Sequence, residues 1–369
     1  MSPRTAIDRI FDVFARRLDG PLTVTLVVLA ALSLAVVFSA SGQSGDRTLG
    51  QARNFAVALV VLWVASNIPP QQLMRLAVPI YLAGLGLLIS VALFGDIRNG
   101  ARRWLNLGFV TVQPSEIMKI GVPLLLAAYF HRKEEGLSVK DYMIAGFILM
   151  LPTALIMRQP DLGTSVLIFA SGFFVIFLAG LSWKLLIGGV VAGLAALPLA
   201  WPMLHDYQRN RVLTLLDPNS DPLGAGYHII QSTIAIGSGG VFGKGWLNGT
   251  QSQLDFIPER STDFILAVLG EEFGLIGLLL LVTLYMIVIG RGLMIALNAP
   301  TTFSRLLAGA ITMTFFTYAF VNIGMVSGVL PVVGVPLPLV SYGGTAILSM
   351  FMGFGILMSI ASHKRLVST

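Results

Sequence analysis

Cysteine is absent from all 369 residues, so disulfides, thiolate metal sites and thiol nucleophiles are excluded. Charge is scarce: Asp, Glu, Lys and Arg make up 11% of the chain, against about 25% in a soluble domain. The four histidines, at 131, 205, 228 and 363, lack metal-ligand spacing. No repeat of about 20–50 residues and no low-complexity tract is visible. The net charge of +6 comes from scattered arginines rather than a basic block, so nucleic-acid binding is not implied.

Apolar sequence fills the space that charge leaves, at 55% of residues. Runs long enough to span a bilayer, roughly 17–25 residues each, lie near 21–40, 54–70, 72–95, 113–130, 142–158, 163–181, 183–203, 262–290, 303–330 and 341–361. The expected fold is therefore all-α: one polytopic membrane domain over residues 1–369 with about ten transmembrane helices. Arg4, Arg9, Arg16 and Arg17 precede the first run, which lacks a small-residue cleavage site and reads as a retained helix with both termini cytoplasmic. Within residues 1–20, Ile10, Phe11, Phe14 and Leu18 share a helical face, the pattern of an interfacial helix on the inner leaflet. Residues 204–261, between the seventh and eighth helices, form a large extracytoplasmic loop, long enough for a lid or a re-entrant structure.

Cations on the outer side exceed what the positive-inside rule allows: Arg47, Arg53, Arg98, Arg102, Arg103, Arg158, Arg209, Arg211, Lys244 and Arg260. An anionic ligand accounts for such an excess, as do ion pairs and lipid headgroups. The polar stretch QSQLDFIPERSTDFI (251–265) gathers Asp255, Glu259, Arg260 and Asp263 at the end of the long loop. Within the spans, Glu116 and Lys119 stand three residues apart on one helical face, fit either to orient helices or to wall a substrate cavity. Arg158 and Asp161 close the fifth span near that wall. Glu271 and Glu272 lie about 12 Å deeper than Asp263 and need protons or cationic partners. Pro331, Pro336 and Pro338 forbid regular helix between the last two spans, so that backbone must be buried in protein or line a wet cavity.

Two patterns mislead. GSGGVFGKG (237–245) has Ser238 where a phosphate loop needs its first glycine and Gly245 where it needs Ser or Thr. DPNSDP (217–222) opens like a calcium loop but puts Pro222 at the glycine position.

The segments GARRWLNLG (100–108), QPSEIMK (113–119), RQPDLGTS (158–165), GYHIIQSTIAIGSGGVFGKGW (226–246), DFIPERSTDFI (255–265), GEEFGLIG (270–277) and LPVVGVPLPLVSYGG (330–344) occur in order along the chain. With them the chain resembles the bacterial SEDS family (shape, elongation, division and sporulation). LPVVGVPLP is similar to the elongation branch; the division branch usually carries a Thr-Lys-Gly variant there. Ser261 stands where His is common, and Thr345-Ala346 replaces the usual Ser pair, departures that bear on substrate fit. The resemblance implies a peptidoglycan glycosyltransferase that polymerises lipid II, an undecaprenyl-pyrophosphate-linked disaccharide peptide, outside the bacterial cytoplasmic membrane during cell elongation. It also implies a class B penicillin-binding protein transpeptidase and other elongation-complex membrane proteins as partners.

In that inverting reaction an acceptor hydroxyl attacks an anomeric carbon bearing polyprenyl pyrophosphate. The leaving group needs its charge stabilised rather than a proton supplied, so the two carboxylates of a glycosidase reduce to one general base. Asp255 is the expected base, with Leu254, Phe256, Ile257 and Pro258 anchoring its loop and withdrawing its carboxylate from water. Arg102, Arg103, Lys119, Arg158, Arg209, Arg211 and Lys244 are the candidate pyrophosphate ligands, arginine suiting bidentate contacts. Glu116 positions Lys119 or contacts sugar, and Ser341 joins the substrate-binding set. Glu259 and Asp263 either contact substrate or cap the eighth helix, capping being the stronger reading for Asp263. A divalent cation, Mg or Mn, bound with the pyrophosphate is compatible with the sequence, which holds no dedicated cage for one. The rival reading is a lipid II flippase, although the polar groups gather towards the external half rather than along a whole path.

Overall fold

Each of the ten apolar runs carries an α-helix in the computed structural model, which describes residues 18–98, 101–106, 111–133, 136–203, 206–221 and 224–363. The expected interfacial segment 8–18 lies almost wholly outside the described residues. The helices along those runs are α1 (Gly20–Ala40), α2 (Gly45–Asn67), α3 (Pro70–Phe94), α4 (Pro114–His131), α5 (Val139–Met157), α6 (Leu162–Leu178) and α7 (Trp183–Ala200). Within the long connection 204–261 lie α8 (Asp206–Leu216), α9 (Ala225–Ser238) and the single turn α10 (Thr250–Gln253). The chain then returns to the bundle as α11 (Ile265–Leu297), α12 (Thr302–Val326) and α13 (Gly344–Ser362).

Among the described residues, seven helices are long and apolar enough to cross a membrane: α1, α2, α3, α5, α11, α12 and α13. Leu162–Leu178 and Trp183–Ala196 are shorter apolar helices, and α4 carries Glu116 and Lys119. Local sequence sets the starts. Asp19 accepts from the Leu22 amide at the head of α1, and Asp161 from the Thr164 amide at the head of α6, each satisfying an orphan N–H. On the same side of the bundle as the head of α1, Asp19 takes a bidentate pair from Arg291, at 2.9 and 2.6 Å, fastening α1 to α11.

A small antiparallel sheet, β1 (Asp96–Arg98), β2 (Ala101–Asn106) and β3 (Thr111–Val112), joins α3 to α4. Strands of two to six residues are too short to show alternation in a sequence.

The long helix α11 is broken inside the bundle. Gly274 sits at φ 62°, ψ −158°, which only glycine adopts without strain. The backbone groups around the break are taken up by residues 240–245: the Leu275 and Ile276 amides donate to the carbonyls of Gly240 and Val241, and the Lys244 and Gly245 amides donate to those of Glu271 and Glu272, all at 3.0–3.2 Å. A Cβ on Gly243 or Gly274 would collide with the opposing backbone. The glycine-rich GSGGVFGKG is thus a plug for a broken helix, which an apolar surrounding tolerates only when its backbone is paired again. Trp246, just past the plug, donates to the carbonyl of Ala35 in α1 at 3.1 Å. Part of the 204–261 segment therefore dips among the helices rather than lying over them.

Candidate active site

Asp255 follows α10 with its backbone at φ 60°, a left-handed conformation costly for a non-glycine residue, and Glu259 repeats it at φ 50°. The Asp255 carboxylate is 78% exposed and pairs with Arg260 at 2.5 Å. This corrects one expectation. Ile257 is buried, but Leu254 and Phe256 are exposed, so the apolar neighbours hold the turn without covering the carboxylate.

What fixes the turn is a set of hydrogen bonds behind it. Arg260 also donates to the Ser252 carbonyl. The Glu259 carbonyl accepts from the Thr262 and Phe264 amides, and its carboxylate accepts from the Thr262 hydroxyl at 2.7 Å. Arg47, at the head of α2, donates to the Ser261 hydroxyl at 3.3 Å. The Tyr342 amide donates to the Ser261 carbonyl at 2.9 Å, and Ser341 donates to the Thr262 carbonyl at 2.5 Å.

Ser341 is buried and accepts from the Leu337 amide, so its hydroxyl is spent on joining loops and not offered to a ligand. Asp263 does not cap α11 either: the N-cap is Phe264, without a side-chain bond. The Asp263 carbonyl accepts from Asn322 at 2.8 Å. Burial pushes its carboxyl up to about 6, the negative charge of Glu259 adds to the rise, and Arg211 opposes it.

A second group lies on α4, α6, α12 and α13. Lys119 Nζ contacts Glu116 Oε1 at 2.6 Å, with both side chains largely buried, and Ser349 donates to Glu116 Oε2 at 2.6 Å. The Lys119 ammonium lies over the Tyr318 ring, 5.1 Å from its centroid, a cation–π contact. Tyr318 is also within Coulombic reach of Asp161. Arg103 donates to the Pro160 carbonyl at 2.7 Å, with its Nε 3.6 Å from Asp161. Arg102 and Arg158 are exposed nearby in sequence.

The link between the two groups is the proline-bearing segment 330–343. Asn322, one turn beyond Tyr318 on α12, donates to the carbonyls of Val335 and Asp263, while Val333 packs on Gly163 beside Asp161. Tyr285 donates to the Pro338 carbonyl and Ser33 to that of Val340, so of the two settings open to this irregular backbone, these carbonyls take pairing inside protein.

Two expected pyrophosphate ligands are committed elsewhere. Lys244 is held at 2.8 Å by Glu271, and Arg209 donates to the carbonyls of Trp201 and Pro202. Neutral groups that carry no charge to mark them, Asn322, Ser349, Tyr318 and Gln51, which donates to the Ser341 carbonyl at 3.0 Å, make many of the site's connections. Their signal was a polar side chain within an apolar run, the criterion already applied to charges. Among the described residues no cluster of three Asp, Glu or His side chains forms a metal cage.

A family model described as cell cycle protein, FtsW/RodA/SpoVE, matches residues 21–366. The chain belongs to that family. As a member of the FtsW/RodA/SpoVE family it is 54% identical over 355 residues to the peptidoglycan glycosyltransferase MrdB of Escherichia coli K12, covering 95% of each chain. It is 35% identical to the protein of the same name from Helicobacter pylori 26695, covering 92% of this chain and 89% of that one. Among solved structures, a chain of a peptidoglycan synthase complex, studied for its coordination of polymerization and crosslinking, superposes with a TM-score of 0.81 at 33% identity, covering 93% of this chain and 97% of that one. The rod-shape-determining protein RodA of Thermus thermophilus gives a TM-score of 0.72 at 28% identity, covering 94% and 97%. Like other members of the family, the chain is a multi-pass membrane protein.

Proposed function

We propose that this chain polymerises lipid II into glycan strands at the outer face of the cytoplasmic membrane, with Asp255 as the general base. That the chain is a peptidoglycan glycosyltransferase of the FtsW/RodA/SpoVE family follows from family membership and from 54% identity to a protein of that activity over nearly the whole chain.

The observation that carries this reading is the state of Asp255: an exposed carboxylate on a strained turn that is tied to the protein through Arg260, Ser261 and Thr262. A base must reach the acceptor hydroxyl, and an exposed carboxylate held in place from behind can do so. On approach, the acceptor proton passes to Asp255 as the sugar oxygen attacks the anomeric carbon and the pyrophosphate departs with the bonding pair. Arg102, Arg103, Arg158 and Arg211 are the outer cations proposed to meet that charge, and Lys119, held by Glu116, contributes from the wall. A divalent ion bound with the pyrophosphate would add charge neutralisation.

The family match over residues 21–366 supports a single membrane unit. The likeness to a chain of a synthase complex supports a transpeptidase partner of the class B penicillin-binding type, together with other elongation-complex membrane proteins. Cytoplasmic termini, and a 204–261 loop on the outer side, follow from the charge bias.

Purified protein in detergent, given labelled lipid II and a cognate transpeptidase with its active-site serine blocked, should yield glycan strands. A flippase yields none there. Translocation of lipid II across sealed vesicles without polymer, unaffected by Asp255→Asn, would overturn the reading in favour of transport.

A further inference from the structure

Glu271 lies in the GEEFG break of α11 and is fully buried, whereas Asp255 stands exposed. Its carboxylate nevertheless gathers four donors from the segment that leads there. Oε1 accepts from Lys244 Nζ at 2.8 Å, the Thr250 hydroxyl at 3.1 Å and the Gln251 amide at 2.8 Å; Oε2 accepts from the Ser252 amide at 3.1 Å.

Three of those donors belong to the single turn α10. A four-residue helix has little stability of its own, and a carboxylate at its N-terminal amides supplies both the missing acceptors and the favourable charge. The C-terminal end of the same turn carries the base: Gln251 and Thr250 carbonyls accept from the Phe256 and Leu254 amides on either side of Asp255, and the Ser252 carbonyl accepts from Arg260, the partner of Asp255. The path from Glu271 to Asp255 is therefore continuous hydrogen bonding through one turn of backbone. Desolvating a carboxylate among four donors is a poor device for stability alone, since a buried ion pair commonly does no better than apolar packing. Its placement under α10 has a geometric consequence instead.

We infer that Glu271 is a positioning residue for the glycosyl transfer: paired with Lys244, it sets α10 and through it the strained turn that presents Asp255. The inference rests on Asp255 being the base. A base displaced by about 1 Å costs about 10²-fold in rate. Glu271→Gln, which keeps the shape but loses the charge and one acceptor, should lower kcat about 10²-fold and leave KM for lipid II within roughly twofold. Thr250→Val, at an exposed position, removes one of the four bonds and should lower kcat about fivefold, the worth of one hydrogen bond.

The absence of cysteine makes a second readout clean. Spin labels on Leu254→Cys and Leu49→Cys, both exposed positions, report the separation of the Asp255 turn from α2 in the full-length protein. The distance distribution should shift or broaden when Glu271→Gln is added, and to a lesser degree with Thr250→Val. If the distribution keeps the parent's mean and width, or kcat is unchanged in both variants, the positioning role is overturned. Loss expressed only as a raised KM overturns it too, because misplacing a base does not weaken ground-state binding. Asp255→Asn is assayed in parallel without labels. Activity retained by Asp255→Asn would sink the base assignment alone, with the label distances still deciding whether Glu271 orders the turn. Should Glu271→Gln not fold, Thr250→Val carries the same test.

Discussion

The guanidinium of Arg260 lies 2.5 Å from the carboxylate of Asp255, yet Arg260 is 19% exposed and Asp255 78%. The arginine is rooted in the protein through the Ser252 carbonyl, while its partner stands in the open. A pair built this way aims the carboxylate outward and leaves its second oxygen available to a ligand.

Asp255→Asn should therefore keep the fold, because the amide oxygen still accepts from Arg260 and no buried group is orphaned. Polymerisation should fall by about 10²–10⁴, the usual cost of losing a general base. Thermal denaturation alongside a gel assay of glycan strands checks both halves, and near wild-type polymerisation would remove Asp255 from the role.

Glu116 and Lys119 should behave as a coupled unit. Removing either leaves a buried charge unpaired, at about 3–5 kcal/mol, and Glu116 additionally loses the Ser349 hydroxyl. A double-mutant cycle with Glu116→Gln and Lys119→Met, read in melting temperature and in activity, should be strongly non-additive. Additive losses would show that the 2.6 Å contact carries no energy.

Asp263 makes stability depend on pH. Burial and Glu259 raise its carboxyl from 3.8 to about 6, so between those values the folded protein holds a proton that the unfolded chain has lost. Stability contributed by that proton is present below about 4 and is lost as pH rises through about 6. Melting temperature followed between pH 4 and 7 should fall across this window, less steeply in Asp263→Asn. An unchanged slope in the variant would assign the dependence elsewhere.

Gly274→Ala should be among the most damaging single-methyl additions in the chain. The residue would need φ 62°, at a cost of about 1–3 kcal/mol, and its Cβ would strike the backbone of Gly243 and Val241. A marked drop in melting temperature is expected, whereas Gly237→Ala, with open space around its Cβ, should change little. Equal melting temperatures for the two would contradict the plug.

Much of the site's chemistry was legible in the sequence, because charges are rare in apolar spans and each one stands out. Glu116–Lys119 was readable as a pair from its spacing, and the proline-bearing stretch between the last two spans as irregular backbone that is either buried in protein or lining a wet cavity. Their partners were not. Lys244 looked like a free outer cation until the fold put it on Glu271, and Ser341 looked like a substrate ligand until the fold spent it on Thr262 and Leu337. Partners so distant in sequence carry no local signal.

Composition and hydropathy by themselves determined a membrane-embedded all-α chain, the places where its polar groups gather, and a family resemblance resting on ordered motifs. Those properties depend on residue type and spacing along the chain, which a sequence states directly. Only the tertiary structure decided that α11 is broken at Gly274, that residues 240–245 fill the break, and that Asp255 is exposed instead of covered. The reason is physical: a freed backbone amide in an apolar bundle must find an acceptor, and which segment supplies it is settled by packing in three dimensions.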